Sequence, residues 1–322
     1  MKNKKKSQKK VVVHIGREKR ANKLSIIVER QLKTLRDINS GFQFVKEVLR
    51  GKGLFSYISS FFKIRKAASN AEVIHAHYSF TGLLSLLAGR KCKTVVSFMG
   101  DDVYSNKILH KLAKYYVLKK ADSIIVKSEI MKSKLKANTN INVIPNGVDL
   151  NTFNPMPSNT CKSELRWEDN YIHVLFPSTK TRPEKNFQLA QKVIETLSGT
   201  HPIKLHTLEN IDPEKIVIHL NAADIVFLTS HWEGSSNVTK EAMACDRIVV
   251  STNVGDAALL FEGTPGCFLS NNSRESVQKS LEQALKFHKN GSIPLGRKRI
   301  IELGLDSNTI AKQVLKVYRR LN

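Results

Sequence analysis

The sequence predicts an α/β protein built from two doubly wound, Rossmann-like domains facing a cleft. Short β-branched runs alternate with amphipathic stretches along most of the chain, the pattern of parallel sheets covered by helices. The alternation is interrupted once, by a polar, proline-bearing stretch near the middle, and then restarts. With 322 residues there is enough chain for two domains with cores of ordinary size. Sheets of this kind bind ligands beyond the carboxyl ends of their strands, which here means in the cleft.

In order, residues 11–15 form a first buried strand that ends at Gly16. Residues 24–35 carry apolar side chains at helical spacing. The turn between them holds Gly16, Arg17 and further bases but lacks the G-x-G-x-x-G of a dinucleotide site, so it suits an anionic substrate better than a nicotinamide. A short strand at 42–45 and an apolar-faced helix at 54–65 follow. Next come a strand at 73–77, a short buried helix at 81–88 and a strand at 94–99. Asp101 and Asp102 come after Gly100. Paired acids can hold a divalent metal, but with no histidine or third acid close by they suit a helix cap better. A helix at 108–121 and strands at 123–126 and 142–145 complete the first half.

Pro145-Asn-Gly-Val-Asp149 is turn chemistry, and 151–169 has little periodicity, so it reads as the linker. The second half has strands at 171–176, 203–208, 225–230 and 248–252. Its helices are expected at 187–197, 213–222, 274–288 and 309–321.

The stretch from Ile225 to Cys245 carries the chemistry. Its first six residues are a buried strand, and His231 to Ser236 form a small polar loop at the strand's carboxyl end. Asn237 can cap a helix on which Val238, Ala242 and Cys245 share a face. A helix amino terminus at the mouth of a parallel sheet attracts an anion, most often a phosphate. Two acids bracket that site, Glu233 in the loop and Glu241 about one turn into the helix. A nucleoside diphosphate sugar reconciles them with an anion hole. The amides of Gly234, Ser235, Ser236, Asn237 and Val238 take the diphosphate, Glu241 the ribose diol and Glu233 the donor sugar. The competing reading is a solvated charged loop ahead of an ordinary helix.

The same stretch resembles the Glu-(seven residues)-Glu signature of retaining glycosyltransferases of the family 4 type, including the Ala-Met-Ala after Glu241. Pro145-Asn-Gly-Val-Asp149 with Phe153 resembles that family's domain junction, and Pro183-Glu-Lys-Asn186 its phosphate-binding loop. The resemblance places Lys185 at the phosphate-binding lysine and Lys180 where an arginine is usual, with Arg182 as a substitute. Asn221-Ala-Ala-Asp224, Ser251 to Asp256, Val73 to His77 and Phe98 to Val103 also match, so the likeness spans all but the basic tail. It implies the glycosyltransferase-B architecture. The boundaries expected are a basic tail at 1–10, an acceptor-binding domain at 11–150 and a linker at 151–169. A nucleotide-sugar-binding domain at 170–305 and a helix at 306–322 crossing back to the first domain complete it. Met99 stands where many relatives have a histidine, and His77 on the neighbouring strand is the candidate for that polar contact. His77 can equally be a buried histidine with no chemical role. Gly16, Arg17 and Asp102 fall on the acceptor side.

The function expected is retaining transfer of a sugar from a nucleoside diphosphate sugar to an acceptor, in cell-surface polysaccharide or glycolipid synthesis. The alternatives are a sugar-nucleotide epimerase or hydrolase of the same fold, or an inactive partner binding an anionic polymer. No cofactor or metal is expected, because Lys180, Arg182, Lys185 and the helix terminus supply positive charge. Cys92, Cys161, Cys245 and Cys267 form no C-x-x-C pair and read as buried thiols rather than a zinc site.

Charge is concentrated in the first half. Residues 1–150 hold 31 Lys/Arg against 10 Asp/Glu, whereas 151–322 hold 21 against 18. A field this polarised suits an anionic membrane surface and a lipid-linked or saccharide acceptor. Nucleic acid is not expected, because the basic segments carry few interleaved aromatics outside Phe55 to Phe62. No apolar run approaches the roughly 18 residues of a spanning helix, and no signal-peptide core precedes Val11. The expectation is a cytoplasmic protein resting on the inner face of the cell membrane.

Overall fold

The computed structural model describes residues 9–18, 22–51, 54–89, 91–105, 107–135 and 140–321. Nearly all of the expected basic tail lies outside these residues. So do Lys19 and Arg20 of the basic turn and the side chain of Asp101.

The chain forms two compact units, Met1–Asn146 with Asn308–Asn322, and Gly147–Ser307. The first contains, in order, β1 (Lys10–Arg17), α1 (Ile26–Asp37), β2 (Phe42–Leu49), α2 (Leu54–Ala68), β3 (Val73–His77) and α3 (Ser79–Ala88). It continues with β4 (Lys93–Ser97), α4 (Asp101–Tyr104), α5 (Ile108–Lys120), β5 (Ser123–Val126), α6 (Glu129–Leu135) and β6 (Ile141–Val143). The six strands pair in parallel in the order β2-β1-β3-β4-β5-β6.

Strand alternation sorts this sheet into two different faces. Val13, Ile15, Ile74, Ala76, Val96, Ile124 and Val126 form the apolar cores, joined by residues of the neighbouring helices. Helix α3 lies between α2 and α5 and packs against both. The alternate positions include His14, His75, His77 and Ser97, all buried.

The second unit contains α7 (Ser158–Leu165), β7 (Ile172–Phe176), α8 (Phe187–Leu197), β8 (Ile203–Thr207), α9 (Ile216–Ala222) and β9 (Ile225–Leu228). Then follow α10 (Asn237–Ala244), β10 (Ile248–Thr252), α11 (Ala257–Phe261), β11 (Cys267–Ser270), α12 (Arg274–Lys289) and α13 (Gly296–Glu302). Its parallel order is β11-β10-β9-β7-β8. Val174, Phe176, Ile225, Phe227, Ile248 and Val250 pack beneath α8 and α12. The last helix, α14 (Ser307–Leu321), has Tyr318 fully buried on the first unit.

The short helices α4, α6, α11 and α13 were not expected from the sequence, and three further features differ from that expectation. Helix α7 occupies the stretch read as a linker and packs against α9. The sequence is polar at six of the eight positions of Ser158–Leu165, but the Lys162 ammonium is buried on Asp224 at 2.9 Å, a partner 62 residues away. Strand β11 was not foreseen, being four residues at a sheet edge. The N-cap of α10 is Ser236 rather than Asn237. Ser236 has extended backbone angles and its Oγ accepts from Thr239 N at 3.4 Å, whereas Asn237 is already the first helical residue.

The chain enters the second unit beside the point where it leaves. Val148 bridges Asp306, and a Cβ on Gly147 would stand 2.7 Å from Ser307 Cα, so only glycine fits. Arg297 holds the entering segment through Phe153 O at 2.8 Å and Leu150 O at 3.0 Å.

Candidate active site

Strands β7 and β9 are neighbours, so the loops after them leave the sheet side by side. Those loops are stitched together. His231 N donates to Glu184 O at 2.9 Å, and Thr229 Oγ1 donates to the carbonyls of Lys185 and Asn186 at 3.2 and 2.9 Å. The stitching brings the Lys185 ammonium onto the Glu233 carboxylate, which also accepts from Ser230 Oγ at 2.8 Å. Both side chains are largely buried, at 12% and 14% exposure, so each charge relies on the other.

A third loop, after β10, supports Glu233 from below. Gly255 has φ +61°, and a Cβ there would stand 3.2 Å from both Glu233 Cβ and Gly234 O. The next residue, Asp256, accepts from Ser235 Oγ at 2.6 Å, and that oxygen accepts from Lys240 Nζ at 2.8 Å. Lys240 is fully buried. Burial lowers its pKa, while Asp256 and Glu241 oppose the shift. The Ser235 hydroxyl is therefore committed to internal bonds, leaving its backbone for any ligand. Gly234 to Val238 lead into α10, whose first-turn N–H groups have no partner within the helix. Glu241 sits in α10, nearly buried at 8% exposure.

Lys180 and Arg182 are placed differently. Lys180 is exposed, its ammonium 5.5 Å from the centre of the Phe187 ring. Arg182 is exposed and donates through Nε to Glu184 Oε1 at 2.7 Å. Burial raises the Glu184 pKa, but its own backbone, the Arg182 hydrogen bond and the charges of Arg182 and Lys185 outweigh that and hold it below the ordinary value.

In the first unit His77 ends β3 and belongs to a buried relay. Ser97 Oγ lies 2.7 Å from His75 Nε2, and His75 Nδ1 lies 2.6 Å from the Tyr318 hydroxyl. That hydroxyl lies 3.1 Å from His14 Nε2, and His14 Nδ1 lies 3.1 Å from His77 Nε2. Burial pushes His14 down to about 3, with the Arg36 charge adding to the effect. Burial also holds His75 and His77 well below the ordinary value. His14 and Lys127 add to this at both, and His77 at His75. All three imidazoles are neutral, each with one donor and one acceptor, so the relay runs in one direction at a time. That direction decides whether His77 Nδ1 offers a proton or a lone pair. This atom is buried and has no hydrogen-bond partner among the described residues.

The three histidines could also hold a metal ion by distance, their nitrogens lying within 4.8 Å of one another. Five of the six nitrogens are already engaged in the relay, and the charges acting on it, Lys127 and Arg36, are positive. That field opposes a divalent cation, so the chemistry of the cluster favours hydrogen bonding.

Asp102 is buried. It accepts from Ser79 N and Ser79 Oγ at 2.7 Å each and from Met99 N at 3.0 Å. Its carboxylate caps α3 rather than its own helix and braces the loop holding Met99. Arg17 donates to Gly51 O at 2.8 Å and lies 4.5 Å from the centre of the Tyr57 ring. Gly16 is the seventh residue of β1, where a Cβ would stand 3.1 Å from Leu24 Cδ2.

Sequence reasoning missed Ser230, Gly255, Lys240, His14 and Tyr318. Lys240 lies on the side of α10 opposite Val238, Ala242 and Cys245 by helical spacing, so the apolar pattern gave no signal for its burial.

Two parallel α/β sheets of six and five strands define a protein of the glycosyltransferase-B architecture. Sucrose-phosphate synthase from Thermosynechococcus elongatus matches with a TM-score of 0.77 at 16% identity, over 97% of this chain and 99% of that one. Anabaena HepE in complex with UDP-glucose matches with a TM-score of 0.74 at 15% identity, over 96% and 99%. A glycosyltransferase from Rickettsia africae ESF-5 matches with a TM-score of 0.70 at 16% identity, over 97% and 98%. At such identities these likenesses establish the fold. No curated protein matches by sequence. The family model Glycosyltransferase Family 4 matches residues 17–152, and the model Glycosyl transferases group 1 matches residues 181–286. The chain belongs to the family 4, group 1 glycosyltransferases, and it is an enzyme of that class.

Proposed function

We propose that this glycosyltransferase takes its sugar from a nucleoside diphosphate sugar held on the second unit. It passes the sugar with retention to a lipid-linked or saccharide acceptor held on the first. The observation that carries the reading is the Lys185–Glu233 pair, set just ahead of the α10 amino terminus. Diphosphate charge develops as the glycosidic bond breaks, and a lysine beside a helix amino terminus stabilises that charge. The incoming diphosphate competes with Glu233 for Lys185, which frees the carboxylate to accept from sugar hydroxyls. Gly234, Ser235, Ser236, Asn237 and Val238 offer backbone N–H groups, Glu241 the ribose contact, and Lys180 and Arg182 outer positive charge. No metal is needed in this scheme, because these groups supply the field. A structural relative supports the donor class, since HepE was solved with UDP-glucose.

On the first unit His77 Nδ1 is the polar atom for a substrate hydroxyl, with Gly16 and Arg17 near the end of β1 on the acceptor side. Asp102 supports that side by fixing the Met99 loop. The excess of bases in residues 1–150 supports an acceptor presented at an anionic membrane, with a cell-surface polysaccharide or glycolipid as product. In cellular terms this is the cytoplasmic enzyme resting on the inner face of the membrane.

The test is a thermal-shift screen of nucleoside diphosphates and nucleotide sugars, followed by proton NMR of the product's anomeric centre. A matching donor raises the melting temperature and yields a product of unchanged anomeric configuration. Stabilisation by no nucleotide, or an inverted product, overturns the reading. Release of free sugar alone, with no transfer to any acceptor, favours a hydrolase.

A further inference from the structure

We infer that the outer face of helices α2 and α5 is a docking surface for an anionic phospholipid bilayer. This deepens the reading that the first unit works at a membrane, adding exposed apolar stripes that reading did not use.

Helix α5 is apolar well beyond its buried side. Ala113 and Val117 are buried, while Ile108, Leu109, Leu112, Tyr115 and Tyr116 are exposed, the first three by 75%, 67% and 60%. The exposed five recur at helical spacing and form one stripe about 120° wide. On α2, Phe55, Ile58 and Phe62 form a second stripe at the same kind of spacing, exposed by 88%, 50% and 63%. Helix α3 joins the two and adds exposed Leu87. Scattered exposed apolar residues need no explanation, but aligned stripes on neighbouring helices do.

The charges around the stripes select the occupant. Helices α2, α3 and α5 contain no Asp or Glu, but they carry Lys63, Arg65, Lys66, Lys111, Lys114, Lys119 and Lys120. A second copy of this chain would bring the same positive charge and be repelled. Nucleic acid would satisfy the lysines but leaves Ile108, Leu109 and Leu112 without a purpose, because bases stack on aromatic rings. A bilayer surface takes both. Anionic headgroups attract the lysines, and the apolar side chains enter the boundary between headgroups and acyl chains. Lys119, whose ammonium lies 4.5 Å from the centre of the Tyr115 ring, shows how a base and an interfacial aromatic share one position. No helix among the described residues is long and apolar enough to cross a membrane, so the contact is a surface one.

The experiment is cosedimentation of the full chain with vesicles of equal parts phosphatidylglycerol and phosphatidylcholine, and with phosphatidylcholine alone, over a range of salt. The variants are Leu109→Glu with Leu112→Glu, and separately Phe55→Ser with Phe62→Ser. All four side chains are exposed, so both variants should melt with the parent. Expected are binding that requires phosphatidylglycerol and weakens with salt, and a loss of at least about tenfold in affinity for each variant. Unchanged vesicle binding by both folded variants overturns the inference. So do equal binding to neutral vesicles, tighter binding to duplex DNA, or a concentration-dependent dimer that the variants abolish. Nucleotide binding by the same samples is measured in parallel, because it reports on the second unit alone. Vesicle binding without transfer to a lipid-linked acceptor leaves this surface standing and removes the acceptor reading.

Discussion

The Tyr318 hydroxyl stands 2.6 Å from His75 Nδ1, although 243 residues separate the two in sequence. It also bridges to His14, so one phenol from the last helix links imidazoles on two adjacent strands. Tyr318→Phe keeps the ring packing and deletes the link. It should destabilise the protein by about 1–3 kcal/mol, the cost of leaving buried groups unpaired. A urea melt followed by circular dichroism measures this. A change below about 0.5 kcal/mol would mean that the relay contributes nothing.

The same cluster sets an acid limit. His14 titrates near 3 in the folded chain, against 6.5 in its ordinary state, and His75 and His77 are also held well below. Between those values the unfolded chain binds protons that the folded chain refuses, so stability rises with pH. The contribution is complete above 6.5 and is lost as pH falls toward 3. Each histidine adds a slope of up to about 1.4 kcal/mol per pH unit in that window. Urea midpoints that stay flat from pH 6 to pH 4 would contradict the buried, neutral state.

If the proposed donor site is right, Lys185→Ala should weaken free nucleoside diphosphate and nucleotide sugar alike, by at least about tenfold, because the lost charge would face phosphate. Glu233→Gln should spare the diphosphate while lowering turnover. Glu241→Ala should reduce discrimination between ribo- and deoxyribonucleotides. Calorimetric titration separates the three, and unchanged affinity in both Lys185→Ala and Glu241→Ala would sink the assignment.

Gly255 offers a comparison with an internal control. Gly255→Ala meets both a left-handed backbone and neighbours at 3.2 Å, whereas Gly263 has the same kind of backbone, φ +62°, with nothing within 4 Å. Each should lose roughly 1 kcal/mol of stability from backbone strain. Only Gly255→Ala should also lower turnover, by displacing Glu233. Equal turnover in the two variants would show that the third loop does not position the acid.

Much of this fold could be read because buried parallel strands announce themselves. Residues 73–77, 123–126 and 248–252 are short β-branched runs flanked by turns, and each is a strand with those bounds. What escaped depends on partners distant in sequence. Helix α7 looked like a connection because Asp224 is needed to make Lys162 a buried residue. Ser236 displaced Asn237 as the cap because backbone angles choose between adjacent polar residues, and no spacing rule encodes them. Lys185 and Glu233 were legible individually, from loop composition and family likeness, but their contact needs two neighbouring loops. The Lys240–Ser235–Asp256 chain joins α10 and its leading loop to the loop after β10 and leaves no periodic trace.

The pairing of Gly147 with Ser307 has a consequence for the order of synthesis. The second unit is an insertion whose two ends lie side by side, while the first is assembled from pieces separated by the whole insertion. As the chain leaves the ribosome, residues 147–307 are complete before the helix carrying Tyr318 has been made. Until then His14 and His75 lack the hydroxyl that joins them. The second unit can therefore mature during translation, whereas the first must wait for the last helix. A shortened product ending before residue 308 would keep a folded second unit beside an unfinished first one.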